Sequence, residues 1–95
     1  MRVNVSARHF KASDKLQTFA TNEVQRLLKL FDNIIESEIV LDWQKGTKSS
    51  EIILNVNGTR LKASDVSTDF YKSIPKTVDK LESQLRRYKG KLYKH

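Results

Sequence analysis

The residues whose chemistry stands out are the lysines and arginines of the last third of the chain. The net charge is +7, and residues 60–95 hold ten Lys/Arg against four Asp/Glu. At helical spacing these cations form one stripe and its flanks, namely Lys76, Lys80, Arg87 and Lys94, widened by Arg86, Lys89 and Lys91. Such a stripe can follow a phosphate backbone and release its counterions. Nucleic acid is therefore the first partner to consider, an anionic membrane the second, and a solvated lysine-rich helix without a partner the alternative.

Other reactive chemistry is sparse. The chain has no cysteine, and His9 and His95 lie at opposite ends, so neither a thiolate nor a histidine metal site is expected. Glu36, Glu38 and Asp42 share one strand face, which we interpret as a solvated outer surface rather than a cation site. The three glycines are scattered and form no phosphate loop. We therefore predict no catalytic residue, no metal and no cofactor.

The first half of the chain alternates between strand and helix patterns. Arg2 to His9 alternates apolar and polar residues, with Val3, Val5 and Ala7 on the covered side. Ser13 is a helix N-cap candidate, and the apolar spacing that follows predicts a helix from Asp14 to Leu30 or Phe31. Ile34 to Gln44 is predicted to be a strand whose core face carries Ile35, Ser37, Ile39, Leu41 and Trp43.

A hairpin is predicted in the second half. Residues 45–50 are polar and indicate an exposed loop, and Glu51 to Asn57 is predicted to be a strand with Ile52, Leu54 and Val56 inward. Asn57-Gly58 is typical of a type I′ turn. The fourth strand then runs from Thr59 to about Ser64, with Leu61 and Ala63 inward.

The organising segment is Ser67 to Leu92, whose apolar residues predict one long helix. They recur every three or four residues at Tyr71, Ile74, Val78, Leu81, Leu85, Tyr88 and Leu92. Ser67 or Thr68 can cap the helix. Pro75 lacks an N–H and crowds the preceding turn, so we expect either a kinked continuous helix, which we favour, or a helix that begins near Pro75. These apolar residues form a seam along one side of the helix. The seam could also hold two copies of the helix together as a coiled-coil dimer, but we favour packing on the sheet.

These elements predict an α+β fold in the order β-α-β-β-β-α, with a four-stranded mixed sheet and two helices packed on one face. A chain of 95 residues is expected to form one domain. Its apolar runs are too short to span a membrane, and its start lacks a signal peptide pattern. We therefore expect a cytoplasmic protein that is monomeric when free.

The assembled pattern resembles the ribosome hibernation-promoting factor and ribosome-associated inhibitor family, also known as sigma-54 modulation proteins. The resemblance covers nearly the whole chain. It rests on the opening strand Val3–Phe10, the helix start Ala12–Leu16, the segment Leu27–Asp32 with Ile34–Glu36, and the segments Leu61–Ala63, Asp69–Tyr71 and Val78–Lys89.

The resemblance implies a ribosome-binding domain over residues 1–95. Family members bind the small ribosomal subunit in the channel used by tRNA and mRNA and block translation, with a basic helix on ribosomal RNA. The RNA contacts carried over are Lys80, Arg86, Arg87 and Lys89, then Lys76 and Lys91, and lastly Arg8. The chain resembles the short form of the family, so pairing of ribosomes would need a second dimerisation-promoting factor.

Two alternatives stay open on the sequence. A protein-interaction module could act through the helical seam or the free sheet face. A generic structured-RNA binder would bind duplexes without preference for ribosomes. Aromatic residues are scarce on the predicted basic face, where Tyr93 is the one candidate for stacking, so the sequence favours recognition of folded RNA by shape and phosphate contacts.

Overall fold

The computed structural model describes residues 1–92 and has the predicted order of strands and helices. The bounds are β1 (Arg2–Arg8), α1 (Asp14–Gln25) with a 3₁₀ helix (Arg26–Lys29), β2 (Ile34–Gln44), β3 (Thr47–Val56), β4 (Thr59–Ser67) and α2 (Phe70–Leu92). Lys94, His95 and Tyr93, which the sequence placed at the basic end, lie outside the described residues. The predicted fold class is confirmed.

The sheet is mixed and has the spatial order β1-β2-β3-β4. β1 and β2 are parallel, while β2, β3 and β4 form an antiparallel meander. The parallel pair needs a crossover connection, which α1 supplies. The inward side chains of the strands share one buried cluster with those of both helices, so the two helices cover the same face.

Both hairpin turns use positive φ angles. Asn57 and Gly58 have φ of 41° and 77°, which confirms the predicted turn. Residues 45–50 were predicted to be a loop, and this was wrong. Lys45 and Gly46 have φ of 53° and 76° and form a two-residue turn, since Gln44 pairs with Thr47. β3 therefore begins early enough to bury Ser50.

The start of β2 contains an irregularity that reverses one predicted orientation. Ile34 pairs with Val56 and Glu36 pairs with Asn55, so Ile35 is an extra residue on its strand. A bulge of this kind shifts the alternation of side chains by one position. Ile34 is consequently buried, and Ile35 is 56% exposed. The sequence had placed Ile35 on the core face, and that prediction was wrong.

Two other boundaries differ from the predicted ones, and one residue of the predicted core face is more exposed than expected. The first helix tightens to 3₁₀ geometry at Arg26, whose N–H is shared between the carbonyls of Glu23 and Val24, as is common at helix ends. β4 extends to Ser67 rather than Ser64. Trp43 faces the helix side as expected but is 45% exposed, because it lies at the end of the sheet.

α2 runs without interruption through Pro75, so the alternative of a helix that begins near Pro75 is wrong. Its cap is Asp69 rather than Ser67 or Thr68. The Asp69 Oδ1 accepts a hydrogen bond from the Tyr71 N–H (2.9 Å), and the Asp69 carbonyl accepts from the N–H of Lys72 and of Ser73. A carboxylate here satisfies a free N–H and complements the helix dipole.

The apolar seam of α2 is core. Ile74, Val78, Leu81 and Leu85 are buried under β3, β4 and α1, each contributing about 1.5–3 kcal/mol to folding. The prediction that the seam packs on the sheet of the same chain is thus confirmed for these four residues. At the start of the helix the prediction was wrong, because Phe70 is buried and Tyr71 is 42% exposed.

Candidate nucleic-acid interface

The predicted cations of α2 do not share one face but lie on two sides of the helix. At about 100° per residue, Lys76, Lys80, Arg87 and Lys91 fall within about 60° of one another. Arg86 lies about 80° from Lys76 in the opposite direction, and Lys89 about 140°. The first group is on the side of β4, where Arg87 and Lys91 border a groove with Thr59 and Leu61. The second group is on the side of α1.

Lys80 is held at the edge of the sheet. Its ammonium donates to the Ser64 carbonyl (2.7 Å) and to Asp65 Oδ1 (3.3 Å). One turn later, the Gln84 side-chain amide donates to the Lys62 carbonyl (2.8 Å). β4 is an edge strand, and unpaired carbonyls on such an edge invite pairing with another chain. Lys80 and Gln84 therefore form a clasp that covers two of these carbonyls.

Arg86 and Lys89 also have partners within the chain. Arg86 lies 3.8 Å from Glu82, one turn back on the exposed surface, a pair worth about 0.3–0.5 kcal/mol. The Lys89 ammonium donates to the Leu30 carbonyl (3.2 Å). Lys89 thereby joins the far end of α2 to the residue that follows the 3₁₀ helix. The charged groups of both side chains lie at the surface, but each has a local partner that an RNA phosphate would have to replace or share.

Lys76, Arg87 and Lys91 are exposed and unengaged. Within residues 1–92, none of them makes an ion pair or a side-chain hydrogen bond. They project from a helix whose opposite side is buried, so their positions are fixed by the core while their side chains can adapt. A phosphate backbone is the ligand that such a row suits, since each contact exchanges mobile counterions for a fixed cation.

Arg8 lies away from this row, at the end of β1. It is exposed, on the sheet face that points away from the helices. Its neighbour His9 donates a hydrogen bond from Nδ1 to Asp42 Oδ1 (2.8 Å). The structure therefore does not bring Arg8 together with the α2 cations, and places it on the opposite surface.

The acidic residues of the outer sheet face do not gather around a vacant point. Glu36 accepts from the Asn4 amide (2.9 Å) and lies 3.7 Å from Arg2, and Asp42 contacts His9. Across the described part of the chain, no three His, Asp or Glu side chains come close enough to hold a metal ion. Among the described helices, none is long and apolar enough to cross a membrane.

Sequence reasoning missed the residues that hold the basic helix in place. Gln84 carries no charge, and the Leu30 carbonyl belongs to the backbone, so neither attracts notice in a search for a basic patch. The signal that could have pointed to Gln84 is its spacing of four from Lys80, which puts both on the helix flank next to β4. Which carbonyls they meet depends on how the helix lies on the sheet.

Comparison with known proteins places the chain in a defined group. The family model described as sigma 54 modulation protein / S30EA ribosomal protein matches residues 3–93. A ribosome hibernation promoting factor of Escherichia coli K12 is 34% identical over 95 residues, which is the full length of both chains. One from Azotobacter vinelandii is 30% identical over 91 residues, covering 96% of this chain and 85% of that protein.

Solved structures share the fold. A ribosomal subunit interface protein from Coxiella burnetii superposes with a TM-score of 0.88 at 24% identity, covering 95% of this chain and 99% of that one. The N-terminal domain of Thermus thermophilus Protein Y gives a TM-score of 0.86 at 22% identity, covering 93% and 99%. With the family model matching nearly the whole sequence, the chain belongs to the sigma 54 modulation protein / S30EA ribosomal protein family.

Proposed function

We propose that this protein is a ribosome hibernation factor that occupies the tRNA and mRNA channel of the small ribosomal subunit and blocks translation there. Two observations support the proposal. Full-length relatives at 34% identity are named ribosome hibernation promoting factors, and the long helix α2 presents a row of exposed cations that suits ribosomal RNA. The proposed role is occupancy of a binding site, with no chemical step.

The observation that carries the proposal is the row formed by Lys76, Arg87 and Lys91. The row is exposed, free of ion pairs within residues 1–92, and backed by a buried seam that fixes its direction. A rigid helix matters because only the side chains, and not the backbone that carries them, then lose conformational freedom when they meet phosphates. We assign the principal phosphate contacts to these three residues.

The other predicted contacts take secondary roles in this proposal. Arg86 and Lys89 add positive potential on the α1 side while they also hold local partners. Lys80 adds to the field, but its main role is to clasp β4. Arg8, on the far surface, would meet RNA only if the channel encloses the protein from two sides.

Several properties follow from this mode of binding. The protein is a monomer when it is free in the cytoplasm, where ribosomes are, and residues 1–95 serve as one ribosome-binding domain. Binding weakens steeply as salt rises, because it depends on counterion release. If paired ribosomes form, a second dimerisation-promoting factor joins them.

Charge reversal of two residues tests the proposal. The double variant Arg87→Glu/Lys91→Glu should lose most of its co-sedimentation with small ribosomal subunits. The matched control Lys15→Glu/Arg60→Glu also reverses two exposed cations, which lie on α1 and on the outer sheet face, so both variants reach a net charge of about +3. Equal loss of binding by both would mean that overall charge, rather than this row, determines binding.

A competition experiment separates ribosome recognition from general affinity for RNA. Naked duplex RNA should displace the protein from small subunits only when the duplex is in large excess over the subunits, counted as nucleotide phosphates. If the duplex competes as well as free subunits do, the protein is a generic structured-RNA binder. Sedimentation of a stationary-phase lysate then shows whether the protein travels with single or paired ribosomes.

A further inference from the structure

The end of the sheet where both helices begin carries an aromatic cleft. Its walls are Phe10, Trp43, Phe70 and Tyr71, with Lys11 and Lys48 at its rim. The cleft has a volume of about 230 Å³. It lies at the start of α2, about 25 Å along the helix from Arg87. It is therefore separate from the cation row.

Local backbone geometry assembles these rings. His9 has a φ of 68°, which turns the chain after β1 and brings Phe10 between two aromatic neighbours. The Phe10 ring stacks on Phe70 with centroids 5.0 Å apart and meets Trp43 edge-on at 5.9 Å. The tight Lys45-Gly46 turn sets Lys48 directly opposite Trp43.

Two of the aromatic side chains in the cleft are exposed to solvent. Trp43 is 45% exposed and Tyr71 is 42% exposed, whereas Phe70 between them is buried. The Tyr71 ring is supported from behind by Phe19, with centroids 4.7 Å apart. Aromatic rings held in place with one part open to solvent are typical of binding sites.

The charge around the cleft indicates what it binds. The Lys48 ammonium lies 4.3 Å from the centroid of the Trp43 ring and 5.8 Å from that of Phe70, and Lys11 is exposed at the rim. The acid that borders the cleft, Asp69, is engaged as the cap of α2. A ligand that fits must be planar and apolar on one part and anionic on another. An unpaired nucleotide has both properties, whereas a proline-rich peptide lacks the anion.

We propose that the aromatic cleft binds an unpaired base of single-stranded RNA. The base stacks on the Trp43 indole, and Lys48 leaves its position over that ring to contact the adjoining phosphate. Base–aromatic stacking and a nearby cation are the general means by which proteins hold single strands. The proposed function supplies ribosomal RNA as the source of the base, and to that extent the inference rests on it.

The test uses the purified protein without ribosomes, so its result is independent of the ribosome-binding assay. Trp43 is the only tryptophan, so its fluorescence reports directly on the cleft. Titration with a six-nucleotide oligoadenylate should quench this fluorescence in a saturable manner, while a GC-rich duplex long enough to remain paired should not. Loss of one stacking contact weakens affinity by about 5- to 150-fold.

Variants separate stacking from general effects. With a labelled oligoadenylate, Trp43→Leu should lose affinity by that factor, Trp43→Phe should retain most of it, and Lys48→Ala should bind more weakly with a shallower salt dependence. Ile35→Ala removes an apolar residue outside the cleft that is even more exposed than Trp43 (56% against 45%), and it should bind as the wild type does. Circular dichroism verifies that each variant is folded.

Two results would overturn the inference. One is equal affinity of the wild type and Trp43→Leu for oligoadenylate. The other is quenching by a proline-rich peptide with none by oligoadenylate, which would make the cleft a peptide site. Failure of the cleft to bind RNA would not decide the role of Arg87 and Lys91, because that role is tested separately by co-sedimentation with ribosomes.

Discussion

Replacement of Lys80 by methionine tests whether this lysine holds the fold or holds RNA. Methionine keeps most of the aliphatic stem and removes the ammonium. That ammonium donates to the Ser64 carbonyl at 2.7 Å and to Asp65 Oδ1 at 3.3 Å. The Asp65 side chain is only 16% exposed, and its other oxygen, Oδ2, is buried without a partner among the described residues. Removing Lys80 therefore leaves a partly desolvated carboxylate without its cation.

The expected loss of stability is about 1–2 kcal/mol. A hydrogen bond to a charged group contributes about 1.5–3 kcal/mol, but the Lys80 side chain is 53% exposed, so solvent screening reduces this value. For a chain of this size each kcal/mol lowers Tm by about 4–8 °C. Urea unfolding followed by circular dichroism measures the change. Lys76→Met is the control, because Lys76 is exposed without a partner in residues 1–92, and it should shift stability by at most about 0.5 kcal/mol.

Binding to small subunits separates the two roles of these lysines. Lys76→Met should reduce the salt dependence of binding by about one phosphate contact, whereas Lys80→Met should leave it nearly unchanged. The opposite result would be a Lys80→Met variant that is as stable as the wild type and that reduces the salt dependence of binding as much as Lys76→Met does. In that case Lys80 contacts RNA and the clasp is incidental.

Four further substitutions probe the fold. Pro75→Ala restores an N–H that can donate to the Tyr71 carbonyl and should stabilise the protein by about 1–3 kcal/mol in thermal unfolding; a fall in Tm would show that α2 depends on the proline ring. Gly58→Ala adds a Cβ that meets nothing within 4 Å, so the expected loss of about 1 kcal/mol reflects its φ of 77° alone, and an unchanged urea midpoint would contradict this. Ser50→Ala removes a hydroxyl that donates to the Ser73 carbonyl and should cost about 1 kcal/mol. Ser37→Ala removes a buried hydroxyl with no partner in the described chain and should be neutral or stabilising. A greater loss of stability from Ser37→Ala than from Ser50→Ala would be inconsistent with these contacts.

The sequence predicted those parts of the fold that depend on local pattern. Alternation placed Ile52, Leu54 and Val56 correctly, and Asn57-Gly58 predicted its turn because few residues tolerate two positive φ angles in succession. Lys45-Gly46 makes a turn of the same kind but was predicted as a loop, because lysine is not typical of positive φ. Ile35 was predicted to be buried instead of Ile34, since the pattern of apolar residues does not reveal a bulge.

The site was less predictable than the fold. Helical spacing identified the cations of α2, but their partners depend on where the helix lies on the sheet. Lys80 and Arg87 share a flank in the sequence pattern, yet one clasps β4 and the other is unengaged. Trp43 was assigned to the core face by its alternation, and nothing in that pattern indicates that the sheet ends beside it and leaves the ring open.

The proposed function requires the outer side of α2 to lie against ribosomal RNA of the small subunit. The chain has no cysteine, so a single introduced cysteine can carry an iron chelate that cleaves nearby RNA by hydroxyl radicals. Ser83 is exposed on α2 between Lys76 and Arg87, and Thr18 is exposed on α1. The chelate on Ser83→Cys should cut small-subunit RNA at the nucleotides that line the tRNA and mRNA channel, and the chelate on Thr18→Cys should cut these nucleotides much less. Absence of cleavage from Ser83→Cys, or equal cleavage from both positions, would contradict this placement of α2.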